Sequence, residues 1–187
     1  MAAFTLPACA PTPTGEGEQA RKVVTIGTSS TPGGCNLFVE DTHVFACVEE
    51  CIWDALYDPC GPGFLPISNL AKEVAVSPDM KTYTVKIRDD AVFQDGVPLT
   101  AEDVSFTYNY LMDNELGWFS TTVDQVVEFK AIDDYTVEMT LDGAYSRGVV
   151  ERGIFWVPIL PKHIWQDITA EEALGFGFEL PLELAIG

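Results

Sequence analysis

The run KIRDDAVFQDGVPLTAEDVSF, residues 86–106, narrows the possible folds more than any other stretch of the chain. A strand must end, a tight turn must form and a capped helix must begin within it. Just upstream, Tyr83, Val85 and Ile87 alternate with Thr82, Thr84, Lys86 and Arg88. That period of two predicts a half-buried strand over 82–88. SPDMK before it is a turn sequence, and ISNLAKEVAVS supplies an antiparallel partner from about residue 72 to 76. Asp95-Gly96 marks the following turn. Thr100 then stands as N-cap with Asp103 three residues on, a variant of the capping box. Glu102 and Asp103 also complement the positive end of the helix dipole. Ala101, Val104, Tyr108 and Leu111 form the inward stripe, widened by Phe106 and Met112. Asp113-Asn114 and Gly117 are expected to end the helix.

The rest of the chain fits less regular expectations. KVVTIGTSS, 22–30, predicts a buried strand breaking into a surface loop at 28–34. In 41–58, Val44, Val48, Cys51 or Ile52, and Ala55 fall at helical spacing, with Asp41 or Thr42 as N-cap and DPCGPGFLP as terminator. A second hairpin runs from DQVVEFKAI through Asp133-Asp134 to YTVEMTLDG, where Val137, Met139 and Leu141 alternate with Thr136, Glu138 and Thr140. Residues 147–165 mix an apolar run with Pro158 and Pro161, a connector whose periodicity favours neither helix nor strand. The order β, α, hairpin, α, hairpin, irregular return predicts a mixed α/β fold without a regular βαβ repeat.

Charge excludes one class of partner. With 29 acidic against 10 basic residues the formal net charge is −19, so the surface repels phosphate backbones and no nucleic-acid partner is expected. Leu6-Pro7-Ala8-Cys9 has the form of a bacterial lipoprotein cleavage site, with Cys9 as the residue to be lipidated. Few residues precede it and none is basic, so it has the look of a signal remnant. APTPTGEGEQ after it is a tether without apolar periodicity. Cys35, Cys47, Cys51 and Cys60 cluster within a short span, an even count that suggests two disulfides in an exported protein. Cys47 and Cys51 share a helical face, so each is expected to bridge to Cys35 or Cys60. Four thiolates could alternatively hold zinc, although the spacing matches no common zinc module.

Catalytic signals are sparse. There is no G-x-S-x-G turn, P-loop or G-x-G-x-x-G. His43 and His163 are the two histidines, and neither has a motif around it. The acid pairs in DDAVFQDG and IDDYT could suggest glycosidase chemistry, but they sit in turns, where Asp bonds its own backbone. No cofactor and no metal site is expected beyond loosely held calcium. Trp118 and Phe119 follow the capped helix on a loop, where they either line a ligand cleft or pack beneath it.

The segment LAKEVAVSPDMKTYTVKIRDDAVFQDGVPLTAEDVSFTYNYLMD, 70–113, closely resembles the family 5 extracellular solute-binding proteins, the dipeptide- and oligopeptide-binding components of ABC importers. Arg88, Phe93, Asp95, Gly96, Thr100, Ala101, Asp103 and Val104 fall on the family pattern; Val74 stands where the family often has Trp. FKAIDDYTVEMTL and PILPKHIW match two later family segments in order, and VVTIGTSS resembles the first strand. The resemblance covers roughly residues 22–165.

It implies a periplasmic-binding-protein class II-like fold of mixed α/β type, present as an N-terminal fragment. Residues 1–20 would be signal remnant and tether, 21–58 the start of lobe I, 59–155 an accessory subdomain, and 156–187 the return towards lobe I; the second lobe would be absent. It implies a non-enzymatic, monomeric, lipid-anchored protein, periplasmic or at the cell surface, passing a peptide or related small solute to ABC permease subunits. Ser29 and Ser30, after the first strand, and Trp118 and Phe119 would lie near the solute cleft. Two other readings remain: an extracellular carboxylate-dependent hydrolase, and a disulfide-stapled structural or binding module.

Overall fold

The structure, a computed structural model, describes residues 36, 38, 52–58, 65–117 and 119–176. At its centre is an antiparallel four-stranded sheet. β1 (Tyr57–Asp58) and β2 (Ile67–Ser68) make a separate two-stranded ribbon. β3 (Ala71–Val76), β4 (Thr82–Ile87), β5 (Val126–Asp133) and β6 (Thr136–Leu141) form the main sheet in the order β3-β4-β6-β5. Between the two hairpins lie α1 (Ala101–Asn114) and the single turn α2 (Phe119–Thr122). After β6 come α3 (Arg147–Arg152), a 3-10 turn (Ile154–Trp156), α4 (Lys162–Trp165) and α5 (Ala170–Gly175).

The alternation in the strands sets which face is buried. Val85 pairs with Val74 on one side and Val137 on the other, and Tyr83 pairs with Val76 and Met139. Phe129 extends the second row by pairing with Met139. Tyr83, Val85, Val137 and Met139 are fully buried; α1 packs on β5 and β6, and the Tyr83 ring meets Phe155 of the 3-10 turn edge-on at 6.3 Å. On the opposite face stand Thr82, Thr84, Lys86, Thr136, Glu138 and Thr140, with Lys86–Glu73 and Lys130–Glu138 ion pairs at 3.0 Å. Such exposed pairs add little stability, on the order of 0–1 kcal/mol each.

Helix α1 covers the sheet through the expected stripe, with Ala101, Val104, Tyr108 and Leu111 buried. The Tyr108 ring stacks on Phe129 of β5 at 4.0 Å, and its hydroxyl donates to the Ile154 carbonyl at 2.7 Å. Ser105 and Asn109 donate from α1 to the Phe129 carbonyl, each at 3.0 Å, occupying an acceptor of edge strand β5. At the helix end the left-handed position falls on Glu115 (φ 49°), and Gly117 takes a second positive φ of 57° just beyond. A Cβ on Gly117 would meet the Phe38 carbonyl oxygen at 2.8 Å, so glycine is required by packing as well as by conformation.

Both hairpins form where alternation places them, the second turning at Asp134-Tyr135, with the Asp133 carboxylate accepting the Tyr135 N–H at 2.9 Å. The helix expected through residue 58 is corrected at its C-terminal end. Ala55 bridges Pro158 and residues 57–58 are strand. Buried Trp53, Ala55 and Tyr57 also satisfy a period of two, and pairing with a distant segment decides between the periods. Residues 41–51 of that helix, and the strand expected from 22, lie outside the described residues. The connector 147–165 resolves into two short helices flanking a 3-10 turn. No helix among the described residues is long and apolar enough to cross a membrane.

Candidate functional site

Of the residues singled out in sequence, Ser29, Ser30, Trp118 and the five cysteines Cys9, Cys35, Cys47, Cys51 and Cys60 lie outside the described residues. Phe119 is described, and of the two places open to it, cleft wall or core, it takes the core. It is 1% exposed and part of the core with Leu116 and Val123, packing beneath its loop. The spacing Leu116, Phe119, Val123 places all three on one side of the short turn α2, which gives the ring an apolar bed.

The structure instead forms a small cleft of about 50 Å³, lined by Trp53, Ala55, Tyr57, Asp58, Asn69, Trp156 and Pro158. Three segments distant in sequence build it. The Ile159 N–H donates to the Asp54 carbonyl at 2.9 Å beside the Ala55–Pro158 bridge, joining the connector to residues 53–58. Asn69 closes the other side, donating its side-chain amide to Asp54 Oδ1 at 2.9 Å and its backbone N–H to the Leu56 carbonyl at 3.1 Å. Behind the cleft the Tyr57 hydroxyl accepts from Arg147 at 3.4 Å, and Arg147 Nε is paired with buried Glu151 at 2.6 Å. Burial raises the Tyr57 pKa above the ordinary tyrosine value, with the Arg147 hydrogen bond pulling the other way. Two tryptophans, an amide and a carboxylate suit binding more than bond-breaking.

Two further arrangements bear on chemistry. A wider groove of about 700 Å³ at the end of α1 carries Asp113, Glu115 and Asp124, yet among the described residues no three His, Cys, Asp or Glu side chains converge to hold a metal. His163 pairs with the Asp95 carboxylate at 2.7 Å.

The strongest polar constellation ties α1 to the connector. Asp103, 6% exposed, receives the Thr100 N–H (2.9 Å) and hydroxyl (3.0 Å) on one oxygen and the Lys162 N–H (2.9 Å) on the other. Thr107 donates to the Asp103 carbonyl at 2.8 Å and accepts the Leu160 N–H at 2.9 Å. Lys162 Nζ reaches Glu102 at 2.8 Å. Sequence reasoning identified Asp103 as a helix cap but missed the bonds from its second oxygen to Lys162 and from Thr107 to Leu160, because those partners are more than fifty positions away and leave no local signal.

A nickel-binding periplasmic protein of Escherichia coli K12 is 35% identical over 78 residues, which is 41% of this chain and 15% of that protein. The oligopeptide-binding protein AppA of Bacillus subtilis, solved with a nonapeptide, superposes with a TM-score of 0.70 at 24% identity, covering 79% of this chain and 29% of AppA. The ABC transporter substrate-binding protein CtaP of Listeria monocytogenes gives a TM-score of 0.64 at 28% identity, over 75% of this chain and 28% of CtaP. The chain spans at most about a fifth of the length of the curated relatives it matches. Its mixed α/β fold is thus part of the architecture of class II periplasmic binding proteins. Residues 66–181, more than half of the chain, match the middle region of the bacterial extracellular solute-binding proteins, family 5, and the chain belongs to that family.

Proposed function

We propose that this chain is part of the extracytoplasmic solute-binding component of an ABC importer, which captures a peptide or related small solute and passes it to a membrane permease. The match over residues 66–181 carries this reading. It is supported by the E. coli nickel-binding and B. subtilis oligopeptide-binding relatives, which place two solute chemistries on one scaffold. Function on such a scaffold resides in the site and not in the fold. In this reading residues 21–58 and 156–187 belong to one lobe, and 59–155 to an accessory subdomain. The backbone link from Asp54 to Ile159 and the Ala55–Pro158 bridge favour that division, since they join the two outer stretches. Ser29, Ser30 and Trp118 would face the solute cleft, Cys9 would carry the lipid anchor, and Cys35, Cys47, Cys51 and Cys60 would form two disulfides. The protein acts as a monomer and performs no chemistry on its cargo.

The test uses the intact protein that carries this chain. Its melting temperature, followed with a random peptide pool and separately with nickel–histidine, should rise with one of the two. A flat response to both, together with peptide or glycoside hydrolysis in the same sample, would replace transport with the hydrolase reading. Mass spectrometry of the exported form with and without reductant should show a gain of four thiols and a lipid mass on the peptide beginning at Cys9.

A further inference from the structure

We propose that the groove at the C-terminal end of α1 is a docking surface for a basic, amphipathic segment of a partner protein. The groove, about 700 Å³, is walled by the last turns of α1, by α2 and by the start of β5. Leu111, Val123 and Val126 line it and are themselves buried, which makes its base apolar. Met112 is half-buried, and Val127, on edge strand β5, is 62% exposed. Exposed Asp113, Glu115 and Asp124 complete the lining, so an apolar trough carries acid along its margin.

The charge here is unbalanced, unlike elsewhere on the surface. Lys86 pairs with Glu73 and Lys130 with Glu138 on the open face of the sheet, Lys72 pairs with Asp89, and Lys162 pairs with Glu102. Among the described residues no ion pair reaches Asp113, Glu115 or Asp124. The cause lies in the sequence: no Lys or Arg occurs between Arg88 and Lys130, and the whole groove is lined from within that span. Two of the acids also stand where a helix least favours them. The last turn of α1 has no basic residue, so the negative end of the helix dipole adds to Asp113 and Glu115. The fold thus holds a concentrated negative potential beside apolar surface, and cations placed there relieve it.

Three observations select the occupant. The carboxylates do not converge, since among the described residues no three acidic or other metal-binding side chains gather around one point. They match several charges spaced along a chain better than a single ion. The trough is open, so a small solute would stay hydrated on its far side, whereas a longer segment spans it and adds contacts beyond its margin. A second copy of this chain would bring a net charge of −19 against the same acids, which opposes self-association. A segment with lysine or arginine interleaved with apolar side chains satisfies both parts of the groove. Its cations lie along the acidic margin, and its apolar side chains cover Met112 and Val127. This docking does not depend on which solute the protein carries.

The experiment follows the fluorescence anisotropy of a labelled amphipathic Lys/Leu peptide titrated with the intact protein that carries this chain, at about 0.15 M salt, where charges beyond about 8 Å are screened. Binding should saturate. Asp113→Asn, Glu115→Gln and Asp124→Asn together should weaken it roughly tenfold, the scale of three exposed charge pairs. All three positions are exposed, and losing like charge at the helix end should raise the melting temperature of the free protein. Val127→Ser alone should weaken binding roughly threefold. The matched set Glu73→Gln, Asp89→Asn and Asp90→Asn changes the net charge equally at a distance from the groove, and should alter binding by less than about twofold. No saturable binding, or equal weakening by the two triple variants, would overturn the proposal. So would a Lys/Ser peptide that binds as well as Lys/Leu, since the apolar base would then contribute nothing. Displacement of the probe by short uncharged peptides would overturn it too, by placing the probe in the solute cleft.

Discussion

At the scale of single residues, the side chain carrying most connections is Asp103. Its two oxygens satisfy three donors from two elements, and it is almost completely buried. Asp103→Ala strands the Thr100 and Lys162 N–H groups at once. Leaving buried donors unsatisfied costs about 1–3 kcal/mol each, so chemical denaturation should show a loss of about 2–6 kcal/mol. Thr107→Val, close to isosteric, removes one hydroxyl that donates and accepts, and should cost about 1–2 kcal/mol in the same measurement. Equal and negligible losses in both variants would mean that water replaces these contacts at no cost. Glycine provides a second contrast. Gly96 and Gly117 both hold positive φ, but a Cβ at Gly96 meets nothing within 4 Å, whereas one at Gly117 meets the Phe38 carbonyl. Gly96→Ala should cost about 1 kcal/mol from conformation alone. Gly117→Ala should cost about 2 kcal/mol more, since backbone must also shift.

At the scale of elements, α1 and the two hairpins were legible because each is specified locally. Tyr83, Val85 and Ile87, then Val137, Met139 and Leu141, alternate without interruption, and Thr100 with Asp103 marks the helix start within one turn of chain. What was not legible depended on distant partners. Ala55 fits a helical stripe with Val48 and Ile52 and an alternating one with Trp53 and Tyr57, until Pro158 and Ile159 supply the pairing. Phe119, on a loop, carries no sign of whether a core lies beneath it, and the cleft between Trp53, Asn69 and Trp156 joins three segments that share no motif. The seam between α1 and β5 yields a sharper expectation. Phe129 stacks on Tyr108 at 4.0 Å and is 2% exposed. Phe129→Ala removes the stack and opens a cavity, an expected loss of about 3–5 kcal/mol. Phe129→Leu keeps most of the volume and should cost under about 1.5 kcal/mol plus the stacking contribution of about 1. Urea unfolding of the pair separates volume from ring geometry; equal losses would show that the seam tolerates collapse and that stacking is incidental.

At the scale of the whole molecule, the question is how much of a binding protein is present in a chain that spans under a third of AppA and CtaP. A site that holds a small molecule tightly encloses about 300–1,000 Å³ and buries most of the ligand surface. The aromatic cleft here offers about 50 Å³, and the larger groove near Asp113 and Asp124 is broad, acidic and open. Tight capture needs walls on opposing sides, which binding proteins of this class supply by closing two lobes around a hinge. Walls of one kind alone leave the solute hydrated on its far side, so the entropy of immobilising it is not offset. The 187-residue chain should therefore show no calorimetric heat with a peptide pool or with nickel–histidine at micromolar concentrations, while the intact protein carrying it binds one of them. Replacing Trp156 by Ala in the intact protein then asks whether the cleft seen here forms one wall: its affinity should fall roughly tenfold, the loss of one aromatic contact of about 1–2 kcal/mol. Unchanged affinity in that variant would assign the cleft to structure alone, and tight binding by the isolated chain would show that these segments suffice to enclose a solute.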